Sequence, residues 1–431
     1  MIPFLRRRFN EKFTPEKYQT FLQRIDDAAG AHVQFRLSET PCFFPKALLE
    51  EMARDGKELI RQLVDSPEYR AKSDQAVPAE FKVPNEAPHP MFVQVDFGLV
   101  RDANGELQPK LVELQAFPSL YAYQGYLAEA YLDVYGLRGP EWLPAKSSFL
   151  ASLGMTSALG MTNANEQQVH ATNSELKYFL SDLDQNSYRD LLRRAIAGSH
   201  DPENVILMEI HPQQQKTLPD FLLTEKMLGV RAVDIVDIQK EGSKLYYERS
   251  GIRIPIKRIY NRAIVDELER KNVHLAFDWR DDLDVEWAGH PNWYFRISKF
   301  SIPYLKHRSV PKTWFLDRLD GIPDDLENYA LKPLYSFAGL GVIIAPKKED
   351  IVAISPEKRP YYILQERMHF EPVINTPFGG TKAEVRVMYI WVDELTPVLT
   401  IIRMGRGLMM GVDHNKNMEW VGASAGLYLD K

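Results

Sequence analysis

Tyr329-Ala-Leu-Lys-Pro-Leu-Tyr-Ser-Phe-Ala-Gly-Leu-Gly-Val342 reads as a strand bearing Lys332, a loop holding Gly339 and Gly341, and the start of a second apolar strand. A glycine loop lets backbone N–H groups close over phosphate oxygens, and a strand lysine fixes a positive charge beside them. The segment is expected to be a hairpin that holds a polyphosphate, although in isolation an ordinary turn using glycines for positive φ has the same sequence. Downstream, Tyr361-Tyr-Ile-Leu-Gln-Glu-Arg-Met368 is an apolar strand that turns charged at its end. A hinge that offers backbone groups to an adenine edge, with Glu366 on a ribose hydroxyl, has this pattern; so does a strand running out to solvent. Upstream, Asn292-Trp-Tyr-Phe-Arg-Ile-Ser-Lys299 puts a second lysine at the start of a helix-like segment.

A second hairpin stands far earlier. Phe92-Val-Gln-Val-Asp-Phe-Gly-Leu-Val100 alternates apolar with polar or small residues, Asp102-Ala-Asn-Gly105 is turn chemistry, and Pro109-Lys-Leu-Val-Glu-Leu-Gln115 returns. Strand side chains alternate, so Glu113 and Gln115 share a face, and Asp96 on the partner strand can converge on it. Three oxygen-bearing side chains suit a hard cation such as Mg²⁺. A solvated hairpin face would carry the same residues.

The order Lys299, then Lys332 on a strand, then a glycine loop, then a strand ending in a glutamate hinge resembles the ATP-grasp superfamily. The acidic residues Asp96 and Glu113, with Gln115, precede these motifs, the permuted order of eukaryotic-type glutathione synthetases and glutathionylspermidine synthetase-like proteins. Thr400-Ile-Ile-Arg403 followed by Val421-Gly-Ala-Ser-Ala-Gly-Leu-Tyr428 is similar to the glutathione synthetase ending, where an arginine holds a substrate carboxylate and an Ala/Gly-rich loop closes the site. The resemblance implies an α+β chain with an α/β subdomain in a circularly permuted ATP-grasp fold. It also implies ATP held by Lys299, Lys332, Gly339, Gly341, Gln365, Glu366, Met368 and Glu384, and Mg²⁺ held by Asp96, Glu113 and Gln115. Arg386 would contact phosphate or acyl phosphate, and Arg403 a substrate carboxylate. Arg262 is a further carboxylate candidate, with a structural ion pair favoured.

This chain departs from the glutathione synthetase pattern at three places: Ser336 stands for a metal-binding glutamate, Gly405 for a lysine, and Gln94 for an arginine. These changes bear on the substrates rather than on ATP. The implied reaction joins a small-molecule carboxylate to an amine through an acyl phosphate. A small-molecule kinase on the same scaffold and a non-catalytic nucleotide-binding module are the alternatives.

Around these motifs the composition is that of an ordinary globular chain. Its 431 residues are 45 % hydrophobic and 26 % charged, which excludes disorder and coiled coil and leaves room for two or three domains. A net charge of −6 gives no general attraction to nucleic acid or to an anionic membrane. The single cysteine, Cys42, excludes an intrachain disulfide and thiolate metal sites. With no signal-like or membrane-length apolar stretch, the expected compartment is the cytoplasm. Homo-oligomerisation, and the identity of acid and amine, stay open.

Periodicity predicts helices over 16–29, 45–65, 124–135 and 174–183, within an N-terminal region of residues 1–195 that contains the 92–115 hairpin. Residues 196–285 form an α/β subdomain, with a strand at 205–210, a helix at 218–228 and strands at 230–238 and 256–260. Residues 286–431 form the strand-rich nucleotide-binding region, with strands at 329–333, 342–345, 361–366, 384–392 and 398–403 and a lid at 421–428.

Overall fold

The computed structural model describes residues 1–143, 175–335, 340–415 and 417–430. Helices α1 (Pro3–Lys12) and α2 (Pro15–Ala29), strand β1 (Cys42–Phe43), and helices α3 (Lys46–Val64) and α4 (Pro67–Ser73) lead into a hairpin. That hairpin is β2 (Phe92–Arg101) and β3 (Leu107–Gln115), and α5 (Tyr123–Val134) follows it. Next come β4 (Leu176–Lys177), α6 (Gln185–Ala197), β5 (Val205–Glu209), α7 (Leu218–Leu228) and β6 (Arg231–Asp234). Strands β7 (Gln239–Glu241), β8 (Lys244–Arg249), β9 (Ile252–Ile256), β10 (Arg258–Asn261) and β11 (Glu286–Ala288) complete the middle of the chain. The last third supplies β12 (Thr313–Phe315), β13 (Tyr329–Pro333), β14 (Ile343–Ile344) and β15 (Tyr362–Glu366). After these run β16 (Ile374–Thr376), β17 (Gly379–Trp391), β18 (Leu395–Gly405) and β19 (Gly422–Leu429).

Local chemistry sets many of these boundaries. Thr14 accepts the Lys17 N–H, Pro15 opens α2, and Gly30 at φ 77° ends it. In the β2–β3 turn, Asp102 accepts the N–H groups of Asn104 and Glu106.

Four expectations need correction. No helix forms over 175–183: Tyr178 and Phe179 are drawn into one apolar cluster and Leu180 into another. The helix starts at Gln185, where Asp184 and Ser187 cap each other. The strand expected over 230–238 stops at Asp234, whose side chain accepts the Val236 N–H and starts a 3₁₀ turn. The first helix, α1, sits in a basic N-terminal stretch left unassigned by periodicity. Residues 421–428 are no mobile cover but fall almost wholly within β19, an interior strand buried along nearly all its length.

The main sheet has eight strands, with the path β1-β19-β18-β17-β2-β3, β16 against β17 and β4 against β19. It draws on both ends of the chain. Alternation sends Val95, Phe97, Val385, Val387, Ile402 and Met404 into an apolar core on one face. The opposite face carries the charges. Register sets Glu113 beside Asp96, Asp96 beside Arg386, and Arg386 beside Ile401. The neighbouring row runs Gly98, Glu384, Arg403, Ala423. A bulge after Asp96 pairs Phe97 with Leu111, so Val112 has no partner across the hairpin.

Two further sheets frame this face. Strands β11-β10-β5-β6 form an all-parallel sheet, in which β5, α7 and β6 make the expected βαβ unit. Strands β12-β15-β13-β14 form an antiparallel sheet, and β7, β8 and β9 a small third one. The fold is α+β with one α/β unit.

Candidate active site

A cleft of about 1540 Å³ lies between the charged face of the main sheet, the antiparallel sheet and the C-terminal end of β5. Among its described lining residues are ten lysines and arginines against five glutamates. In a chain of net charge −6, that concentration of cations points to an anionic ligand.

Lys332 enters from the middle of β13, and its Nζ donates to Gln365 Oε1 on β15 at 2.6 Å and to the bulged Val112 carbonyl at 3.5 Å. Burial pushes this ammonium down to about 8, with Glu113 pulling upward and Lys299 adding to the fall. Lys299 opens a short 3₁₀ segment, and its Nζ lies 3.7 Å from Glu113 Oε2. The two hairpins, more than two hundred residues apart in sequence, thus meet at one place.

Beneath the cleft, Asp96 is 1 % exposed. Arg386 grips it through one bidentate edge, Nε to Oδ1 at 2.5 Å and Nη2 to Oδ2 at 2.6 Å, and Arg403 Nη1 reaches Oδ2 at 2.9 Å. Burial alone would raise this carboxyl, but the two guanidiniums hold it below its ordinary value. Arg403 also pairs with Glu384, whose carboxyl burial pushes up against that attraction. Gln94 accepts from Arg386 Nη1 at 2.9 Å and donates to the Ser119 carbonyl at 2.8 Å.

Of the residues read from sequence, Lys299, Lys332, Gly341, Gln365, Glu366, Met368, Glu384, Arg386, Arg403, Glu113 and Gln115 all line this cleft. Gly341 adopts φ 73°. Gly339 and Ser336 lie outside the described residues. Asp96 does not line the cleft.

The three expected metal donors lie in different surroundings. Glu113 and Gln115 face the cleft and hydrogen-bond to each other, whereas Asp96 is committed to two arginines. Among the described residues no group of three or more His, Cys, Asp or Glu could hold a metal ion. Magnesium commonly takes one or two carboxylates and fills its remaining sites with phosphate oxygens and water, so Glu113 with the Gln115 amide oxygen fits a metal that arrives with phosphate.

Two features escaped the sequence reading, Glu209 beside Arg262 and the loop held by Asn415. Glu209, at the C-terminal end of β5, is buried and pushed up to about 7 by burial, against the pull of Arg262. Its Oε2 stands 3.8 Å from Arg262 Nη2. Arg262 packs between Phe117 and Phe221, and its buried Nε has no hydrogen-bond partner among the described residues. Asn415 staples the loop after β18, accepting the N–H groups of Arg406 and Gly407 and donating to the carbonyls of Met409 and Gly411. That loop, not residues 421–428, presents Leu408, Met409 and Met410 to the cleft. A Cβ at Gly405 would sit 2.9 Å from the Asn415 amide, so a side chain there would displace that staple. A strand end in a parallel sheet and an Asn ten residues after a strand were the available signals, both weak without the fold.

Comparison with protein-family models gives no match, and comparison with curated proteins gives none. Among solved structures, the chain is similar to a glutathione synthetase-like effector from Globodera pallida in its apo form, with a TM-score of 0.53 and 12 % identity. The similarity spans 96 % of this chain and 98 % of that one. At that identity the likeness is one of fold, and it extends over essentially the whole of both chains.

Proposed function

We propose that the protein is an ATP-dependent carboxylate–amine ligase built on a circularly permuted ATP-grasp fold. The observation that carries this reading is the convergence of Lys299, Lys332, Glu113, Arg386 and Arg403 on one cation-rich cleft. A carboxylate is a poor electrophile. Its oxygen attacks the γ-phosphorus of ATP, ADP leaves, and the acyl phosphate is attacked by an amine with loss of phosphate and a proton.

Phosphoryl transfer asks a protein mainly for positioning and neutralisation of charge. Lys332 and Lys299 supply fixed positive charge to the phosphates, and the hinge residues Gln365, Glu366 and Met368 flank the nucleoside. Arg386 offers its guanidinium to the transferring phosphate and the acyl phosphate, and Arg403, beside it, to that phosphate and the substrate carboxylate. Magnesium, when bound, neutralises phosphate charge, and Glu113 and Gln115 would hold it. The Leu408–Met410 loop excludes water from the acyl phosphate.

The test is a screen of amino acids and polyamines for amine-stimulated ADP release, with the amide identified by mass spectrometry. A stable phosphorylated product formed without an amine would instead indicate a kinase. Absence of ATP binding would refute both.

A further inference from the structure

Asp96 heads the expected metal set, yet its surroundings are those of an anchor. It is 1 % exposed and absent from the cleft lining, while Glu113, its direct neighbour across the hairpin, lines that cleft. Both its oxygens already accept from guanidinium groups, at 2.5, 2.6 and 2.9 Å. The arginines are the groups that reach the ligand space. Arg386 spends Nε and Nη2 on Asp96 and Nη1 on Gln94. Arg403 meets Asp96 and Glu384 through Nη1 alone, and its side chain stays 22 % exposed on the cleft.

A bidentate carboxylate under two guanidiniums removes their rotational freedom and sets their planes before a ligand arrives. We infer that Asp96 is a positioning residue that fixes Arg386 and Arg403 as a preformed two-guanidinium anion seat, and that among the described residues the metal's donors are Glu113 and Gln115 without Asp96. The inference rests on the ligase reading in one respect, that ATP is the anion to be tested. The site then separates two tasks on neighbouring strands: β3 offers oxygen to a cation, and β17 with β18 offers N–H groups to an anion.

The experiment measures ATP binding by calorimetry, first in EDTA and then across a Mg²⁺ series, for the full chain. In Glu113→Gln the Mg²⁺ concentration giving half of the metal's effect is expected to rise tenfold or more. In Asp96→Asn that half-point is expected to stay within threefold of wild type, while affinity in EDTA falls at least threefold. Adding Asp96→Asn to a protein already carrying Arg386→Gln and Arg403→Gln should change affinity in EDTA by less than twofold, because the anchor acts through the two arginines. A half-point shifted more than threefold by Asp96→Asn, or an unchanged affinity in EDTA, overturns the inference. If Asp96→Asn does not fold, Arg386→Lys serves in its place: it keeps the charge, loses the fork, and should lower affinity in EDTA with the half-point unmoved. A wild-type protein that binds no ATP in either condition would sink the ligase reading instead, a result distinct from these.

Discussion

Lys332 Nζ and Gln365 Oε1 lie 2.6 Å apart, which ties β13 to its neighbour β15 through side chains as well as backbone. The lysine is buried, and its neighbours include Glu113 from the distant hairpin and a second cation, Lys299. An ammonium in this setting is held ready for an anion, at a cost that part of the population avoids by losing its proton.

That cost predicts a pH dependence. With the folded-state pKa lowered from 10.5 to about 8, the unfolded chain binds more protons between those values, so this group makes stability rise with pH through that window. A bound polyphosphate restores the charge. ATP binding at pH 8 is therefore expected to take up protons, read from calorimetry in buffers of different ionisation enthalpy. An ammonium 4 Å from a phosphate charge is worth roughly 4 kcal/mol at an effective dielectric near 20, an upper figure. Lys332→Met should abolish the uptake and weaken binding by at least about tenfold, while exposed Lys347→Met and Lys348→Met leave both intact. Equal losses in all three variants would remove Lys332 from the site.

Glu209 behaves in the opposite sense. Its carboxyl moves from 4.5 to about 7, so the folded state keeps a proton that the unfolded state has released, and its contribution to stability falls as pH rises from 4.5 to 7. The stability difference between wild type and Glu209→Gln should shift in the variant's favour by about 2 to 3 kcal/mol between pH 5 and pH 8, at roughly 1.4 kcal/mol per pKa unit. Chemical denaturation at the two pH values measures it. A constant difference would mean that Glu209 titrates normally.

Gly98 tests the packing under the cleft. A Cβ at this position would stand 2.2 Å from the Phe370 ring, and Phe370 itself lines the cleft. Gly98→Ala should cost about 1 to 3 kcal/mol through overpacking. In a Phe370→Ala background the same change should cost clearly less; thermal melts of the four proteins give the answer, and additive costs would show that the ring is not the obstacle.

Truncation after Glu419 should prevent folding rather than merely open the site. It removes β19, whose Ala425 and Leu427 are buried and which pairs with β18, β1 and β4. Circular dichroism should show loss of the cooperative unfolding transition. A truncated chain that melts like the full one would mean that β19 is dispensable.

Local patterns carried the hairpin β2–β3, helices α2 and α7 and strand β13, because period-two and period-3.6 burial and their caps are written in neighbouring residues. The short spans 175–183 and 235–237 were misread because capping by Asp184 and Asp234, and the split of Tyr178 and Leu180 between two clusters, overrode propensity. Residues 421–428 show the deeper limit. Small side chains suit a moving loop, but they equally suit a strand packed against backbone: a Cβ at Gly422 would meet the Arg36 carbonyl at 2.4 Å, and one at Gly426 the Thr400 hydroxyl at 2.5 Å. Composition cannot separate flexibility from crowding.

The sequence by itself determined part of the cleft's charge: Lys299, Lys332, Glu113, Glu384, Arg386 and Arg403 were legible in local motifs, whereas Lys216, Arg270, Lys271, Lys382 and Glu209 were not. Only the tertiary structure decided how they are coupled. A carboxylate on an alternating strand looks alike whether it awaits a metal or holds an arginine, and for Asp96 the choice is made by β17 and β18, which bring Arg386 and Arg403 to it from some three hundred residues away. Register between strands so far apart is set by the burial of their opposite, apolar faces, a property of the assembled sheet and not of any segment within it.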